Sequence, residues 1–184
     1  MLKVFLRAAG ILALGCLTMG AGKIDSAYTK IKLEECRQLT IPSEEGTDGG
    51  SWQCSGYQGR PVWIAEGDLR MFVSFGNDPQ NEPAASQTMP NLNTVNETLE
   101  WRLKDRLPFA TILRWFLDDP EGGKPGNVLV VTQLVPGATC QIAWIDARAN
   151  KNANVLAREA ADRLAGSYDC SQMPQIVGKR GKAF

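Results

Sequence analysis

The feature that most constrains the fold is a series of three apolar segments separated by short turns. Residues 109–117, 127–135 and 139–145 are dominated by Val, Ile, Leu, Phe and Trp, and Gly/Pro-containing stretches at 118–126 and 136–138 divide them. Segments rich in β-branched and aromatic residues at this spacing predict consecutive strands paired as an antiparallel meander. Phe109–Leu117 is the most apolar of the three and carries no helix caps, so it is expected to be a strand covered on both faces.

The residues before the meander also favour strands. Leu99, Trp101 and Leu103 alternate with Glu100 and Arg102 across residues 98–103, the period of a half-buried strand. Pro61–Glu66 and Leu69–Phe75, joined at Gly67-Asp68, predict a hairpin. In its second arm Leu69, Met71, Val73 and Phe75 share one face, and Arg70, Phe72 and Ser74 the other. Residues 28–36 alternate in the same way, 42–50 are a polar loop, 51–54 a short strand and 56–59 a turn. Residues 76–98 are rich in Asn, Pro, Gln, Ser and Thr; a loop of that length predicts a lid, a binding loop or local disorder.

One segment has the period of a helix. Leu156, Ala160 and Leu164 recur every four residues beside Ala153, Ala157 and Ala161, with Asn152 placed to cap the start and Gly166 the end. Glu159 and Arg163 add an i,i+4 pair in the favourable order. The fold class expected is α+β: an antiparallel sheet of about six to eight strands with one C-terminal helix packed on it and two disulfides.

The first 22 residues read as an address. Lys3 and Arg7 precede an apolar run from Ala8 to Leu17, followed by small residues, which is the pattern of a secretory signal peptide. That run is too short to span a bilayer, which needs about 20 apolar residues. Ala13-Leu-Gly-Cys16 supplies an alternative, lipidation of Cys16 as in a bacterial lipoprotein. The domain organisation expected is a signal peptide at 1–22, a single α+β domain at 23–170 and a flexible tail at 171–184 that carries Lys179, Arg180 and Lys182. Both readings of the N-terminus place the chain in the periplasm or outside the cell, membrane-anchored in the second.

Export gives the cysteines a role. Cys36, Cys54, Cys140 and Cys170 form an even set, which in an oxidising compartment implies disulfides. Among the three connectivities, Cys36–Cys54 and Cys140–Cys170 each close a local loop within one half of the chain and are preferred.

Composition excludes several kinds of chemistry. The chain has no His, which removes Ser-His-Asp and Cys-His nucleophile systems and every imidazole-ligated metal. No CxxC spacing suggests a zinc site, so no metal and no cofactor are expected. Of 20 Lys+Arg and 20 Asp+Glu, removal of residues 1–22 takes Lys3 and Arg7, leaving 18 basic against 20 acidic groups and a charge of −2. That balance and an exported location argue against a nucleic-acid partner. Gly122-Gly-Lys124 lacks the first glycine and the Ser/Thr of a phosphate-binding loop and is a turn. Asp118, Asp119 and Glu121 lack the spacing of a calcium loop. Ser51 and Ser55 lack a nucleophile motif and a histidine base.

The candidate binding residues are Trp63, Glu66, Asp68, Arg70, Glu100, Trp101 and Arg102, where carboxylates, guanidinium groups and indoles fall on strands expected to be neighbours. Two carboxylates about 5–10 Å apart could perform glycosidase-type acid–base work. Alternating Glu and Arg on a sheet face is equally the pattern of cross-strand ion pairs. All five Trp residues lie on predicted strands, mostly as core or cover.

Gln141–Asn150, running into Asn154–Asp162 and Cys170, together with Cys54–Gly59 and Glu66–Arg70, resembles an uncharacterised family of small exported alphaproteobacterial proteins. The resemblance implies a periplasmic location and supplies no activity. The functional expectation is a non-enzymatic binding or inhibitor module that engages an unknown protein or glycan ligand in the envelope through the 76–98 loop and nearby tryptophans. The alternatives are a carboxylate-dependent hydrolase using Glu66, Asp68 or Glu100, and a lipid-anchored structural envelope protein.

Overall fold

The computed structural model describes residues 22–41 and 48–184; the expected signal peptide (apart from Gly22), Cys16 and most of the 42–50 loop lie outside the described residues. Among the described residues, ten strands form two sheets, with one α-helix near the C-terminus. The strands are β1 (Ile24–Lys30), β2 (Arg37–Thr40), β3 (Asp48–Ser55), β4 (Pro61–Gly67), β5 (Arg70–Phe75), β6 (Asn93–Lys104), β7 (Leu107–Leu117), β8 (Gly126–Gln133), β9 (Cys140–Asp146) and β10 (Gln175–Ile176); the helix α1 is Ala153–Leu164. The larger sheet runs β1-β6-β7-β8-β9-β10 and the smaller β2-β3-β4-β5. Every pairing is antiparallel except β9 with β10. The meander expected at 109–145 is therefore present as β7-β8-β9. The strands divide between two sheets where the sequence suggested one.

The layers follow from which faces are apolar. Val62, Ile64, Met71, Val73 and Phe75 of the smaller sheet pack on Leu99, Trp101, Leu113, Trp115 and Val130 of the larger. The opposite face of the larger sheet presents Ile112, Leu129, Val131, Ile142 and Ile145 to Ala153, Ala157, Ala160 and Ala161 of α1. The order is small sheet, large sheet, helix. The middle layer is buried on both sides, which is why β7 and β8 read as almost continuous apolar runs. Alanine on the helix face allows its backbone to approach the sheet closely.

Both disulfides connect as expected. Cys36–Cys54 ties the entry to β2 to β3, with Cα atoms 4.5 Å apart. Cys140–Cys170 ties the start of β9 to the chain leaving α1, at 5.8 Å. Closing loops of 18 and 30 residues contributes about 3–4 kcal/mol each on the chain-entropy model.

Several expectations are corrected. The strand anticipated at 28–36 is β1 at Ile24–Lys30, followed by a 3-10 turn at Leu33–Glu35. Ile31 dives into the core between the sheets, and the chain there crosses from one sheet to the other. The β4–β5 turn falls one residue later than expected, on Asp68 and Leu69, with φ of 53° and 58°. The long loop from 76 ends at residue 92 and is a packed strap, with 3-10 turns at Pro79–Asn81 and Pro83–Ser86. Ala84 and Met89 are buried. Glu82 accepts hydrogen bonds from the Gly137 and Thr139 amides at 2.8 and 2.9 Å. Asn152 makes no side-chain cap; Gly166 does take the left-handed conformation expected of it, at φ 93°. Residues 171–184, expected as a flexible tail, contain β10 and lie against the larger sheet. The Lys179 amide donates to Asn150 Oδ1 at 2.8 Å, and the Phe184 ring stacks on Trp144 at 5.8 Å.

Candidate functional site

The candidate residues separate into two groups on different sheets. Glu66, Asp68 and Arg70 belong to the β4–β5 hairpin of the smaller sheet; Glu100, Trp101 and Arg102 lie on β6 of the larger. No Glu66–Glu100 acid–base pair is assembled.

The first group stands at the tip of the hairpin. Glu66 Oε1 accepts the Leu69 amide at 2.8 Å and so closes the turn through its side chain. Asp68 pairs with Arg70 at 3.2 Å. Left-handed backbone at Asp68 is common, but at Leu69 it costs about 1 kcal/mol. Docking against the end of the strap holds the turn in place. The Asn93 amide donates to Leu69 O at 3.1 Å, and Asn93 Oδ1 accepts the Met71 amide at 2.9 Å. The Asn93 side-chain NH2 in turn donates to Met89 O and Asn91 O, each at 3.0 Å. The Asp118 amide donates to Leu92 O at 2.8 Å, bringing the end of β7 alongside.

These three segments enclose a cleft of about 540 Å³ lined by Asp68, Arg70, Asn91, Leu92, Asp118, Asp119 and Pro120. Three carboxylates face one guanidinium, and Leu92 and Leu69 stand exposed at or near the rim. The electrostatic character is net negative beside apolar surface. Among the described residues, no group of three or more His, Cys, Asp or Glu side chains is placed to hold a metal ion.

The second group is structural. Trp101 is 1% exposed, packs against Phe75 with ring centroids 5.9 Å apart, and donates its indole N–H to Thr29 Oγ1 at 2.8 Å. It is core and presents no surface to a ligand. Glu100 and Arg102 face α1 and are only 7% and 8% exposed. Arg102 grips Asp162 with Nε and Nη2 at 2.9 and 2.6 Å and donates to Ser26 Oγ at 2.7 Å. Ser26 Oγ donates to Glu100 Oε1 at 2.7 Å, and Arg158 grips the same carboxylate at 2.7 and 3.2 Å. The hydrogen bonds that Arg158 donates to the Glu100 carboxylate hold its guanidinium even more firmly protonated than usual. The result is a continuous chain, Asp162–Arg102–Ser26–Glu100–Arg158, that fixes the helix to β1 and β6.

Trp63 lies on β4, opposite Ser74 of β5. It is half-buried on the sheet face turned away from the core and does not line the cleft. Its indole N–H and the Ser74 hydroxyl are buried without partners.

The 76–98 loop that the sequence singles out as a binding segment contributes Asn91 and Leu92 to the cleft, while nothing local marks these two residues, or Asn93 that braces the turn, within it. Sequence reasoning missed Arg158 and Asp162. The signal for these was present: Arg and Asp at i,i+4 on the helix match Glu and Arg at i,i+2 on the strand with opposite signs. Comparison with known proteins finds no family model, no curated protein and no solved structure that matches the chain.

Proposed function

We propose that the chain is an exported, non-enzymatic binding module that docks an envelope ligand at the tip of the β4–β5 hairpin. The observation that carries this reading is the cleft of about 540 Å³ in which Asp68 and Arg70 meet Asp118 and Asp119 beside exposed Leu92. Its walls are three separate segments tied by backbone hydrogen bonds, so the surface is preorganised and little ordering cost accompanies binding. The excess of carboxylates favours a ligand that presents positive charge next to an apolar group. A basic, apolar protein segment meets that description better than a neutral glycan. Two disulfides suit an oxidising compartment. Among the described residues no helix is long and apolar enough to cross a membrane.

The test is capture from envelope extract with the tagged full chain, in parallel with an Asp118→Lys/Asp119→Lys variant at the cleft and with Glu66→Gln. A stoichiometric partner retained by the wild type and by Glu66→Gln, and lost by the charge-reversed variant, is the expected result. Capture that survives charge reversal would contradict docking at this cleft. A catalytic activity abolished by Glu66→Gln would replace the reading with a carboxylate hydrolase. Intact-mass measurement of the mature N-terminus separates cleavage from lipidation at Cys16.

A further inference from the structure

A second cleft, of about 280 Å³, opens beside the N-terminal end of α1, on the helix-bearing face of the larger sheet. Three arginines serve this face, and the chain treats them differently. Arg102 has Asp162 and Arg158 has Glu100. Arg114, on β7, has no carboxylate partner among the described residues. Its guanidinium donates only to neutral oxygens, Asn127 Oδ1 at 2.5 Å and Asn154 Oδ1 at 3.4 Å.

Arg114 is nevertheless half-buried, and burial pushes its pKa down. A guanidinium carries five N–H donors, so at least three on Arg114 are unassigned. None of the Arg114 nitrogens is both buried and unpartnered, so these free N–H groups open to the cleft, where a partly desolvated guanidinium without a counter-charge favours an anion.

The surroundings point to the same ligand chemistry. Asn154 and Arg158, both from the helix, line the cleft together with Arg114. Arg158 spends Nε and Nη2 on Glu100 and Tyr28, leaving Nη1 with no partner among the described residues. Glu100 is the one carboxylate in the lining, and both of its oxygens are taken up by Arg158. The first turn of α1 holds no acidic side chain, so nothing there offsets the positive end of a twelve-residue helix. The cleft as a whole keeps one uncompensated positive charge.

We propose that Arg114, Asn154 and the open edge of Arg158 form a binding site for an oxyanion, the phosphate or carboxylate group of a small ligand. This site lies on a different layer from the hairpin-tip cleft and does not depend on it.

The test uses the full chain at constant ionic strength, titrated separately with inorganic phosphate and with succinate. Calorimetry and the NMR signals of the Arg158 Nε–H and the Asn154 side-chain amide provide the readouts. Saturable binding of phosphate alone identifies a phosphate-bearing ligand, and of succinate alone a carboxylate-bearing one. In either case Arg114→Gln is expected to weaken binding at least about tenfold, the loss of roughly one charge-assisted pair, and Arg114→Lys less than that. Asn154→Asp supplies a carboxylate from the chain itself and should abolish binding while keeping the fold, which covers the case in which Arg114→Gln does not fold. Absence of saturable binding for both anions would overturn the proposal. So would binding by Arg114→Gln or Asn154→Asp at wild-type strength.

Discussion

The two faces of the larger sheet are built on different principles. Toward the smaller sheet, large side chains interdigitate, with Trp101 and Trp115 almost fully buried among aliphatic residues. Toward the helix, the sheet's Ile, Leu and Val side chains meet a helix face made of alanine, and orientation comes from the chain of polar contacts from Asp162 to Arg158. Shape complementarity fixes the first interface through volume. The second has little helix side-chain volume to work with: a smooth alanine face interlocks weakly with the sheet, and paired charges at defined positions set the register. Glu100 and Arg102 stand out in the sequence for this reason, and their role is to place the helix.

The largest test of this contrast falls on the sandwich side. Trp115→Ala removes a side chain 1% exposed and is expected to destabilise by about 3–5 kcal/mol in urea unfolding. On the helix side, Arg102→Ala leaves Asp162 without its partner and removes the donor to Ser26, which keeps its bond to Glu100. Because Asp162 is partly exposed, the expected cost is about 2–3 kcal/mol. Replacing both members, Arg102→Met with Asp162→Leu, should cost less than Arg102→Ala alone. If the double variant is the worse of the two, the pair contributes more than orientation.

Ala157→Leu should destabilise by about 1–3 kcal/mol, since the residue is fully buried against the sheet and has no room to expand. The smallest effect is at Asn152. Because its side chain makes no capping bond, Asn152→Ala should change stability by less than about 0.5 kcal/mol, where a functioning cap is worth about 1. A loss of 1 kcal/mol or more would show that the side chain caps the helix after all.

Legibility in the sequence followed the range of the interactions. The β4–β5 hairpin, the β7-β8-β9 meander, the helix and both disulfides depend on local spacing and apolar period, and all could be read. What was missed depends on contacts distant in sequence. Residues 76–92 look like a loose loop because their composition is polar, yet Glu82 and Gln87 are polar in order to bond the amides of residues 137–141. The tail looks unstructured because its partners, Asp146 and Asn150, lie some thirty residues earlier. The division into two sheets was hidden because Ile31, between β1 and β2, belongs to the core they enclose. For the candidate site, Asp68 and Arg70 were found. The 76–98 segment reads as a binding loop, but its meeting with the hairpin tip and the end of β7 could not be read, since only tertiary structure brings the three together.

The ion pairs of Glu100 and Arg102 with Arg158 and Asp162 hold the helix in place on the larger sheet. A double-mutant cycle on Glu100→Gln and Arg158→Gln, read by equilibrium unfolding, tests this central claim most directly. The account predicts a coupling energy of about 1–3 kcal/mol, in the range for paired charges that share a partly buried site. A coupling indistinguishable from zero, with the fold intact in all three variants, would contradict it.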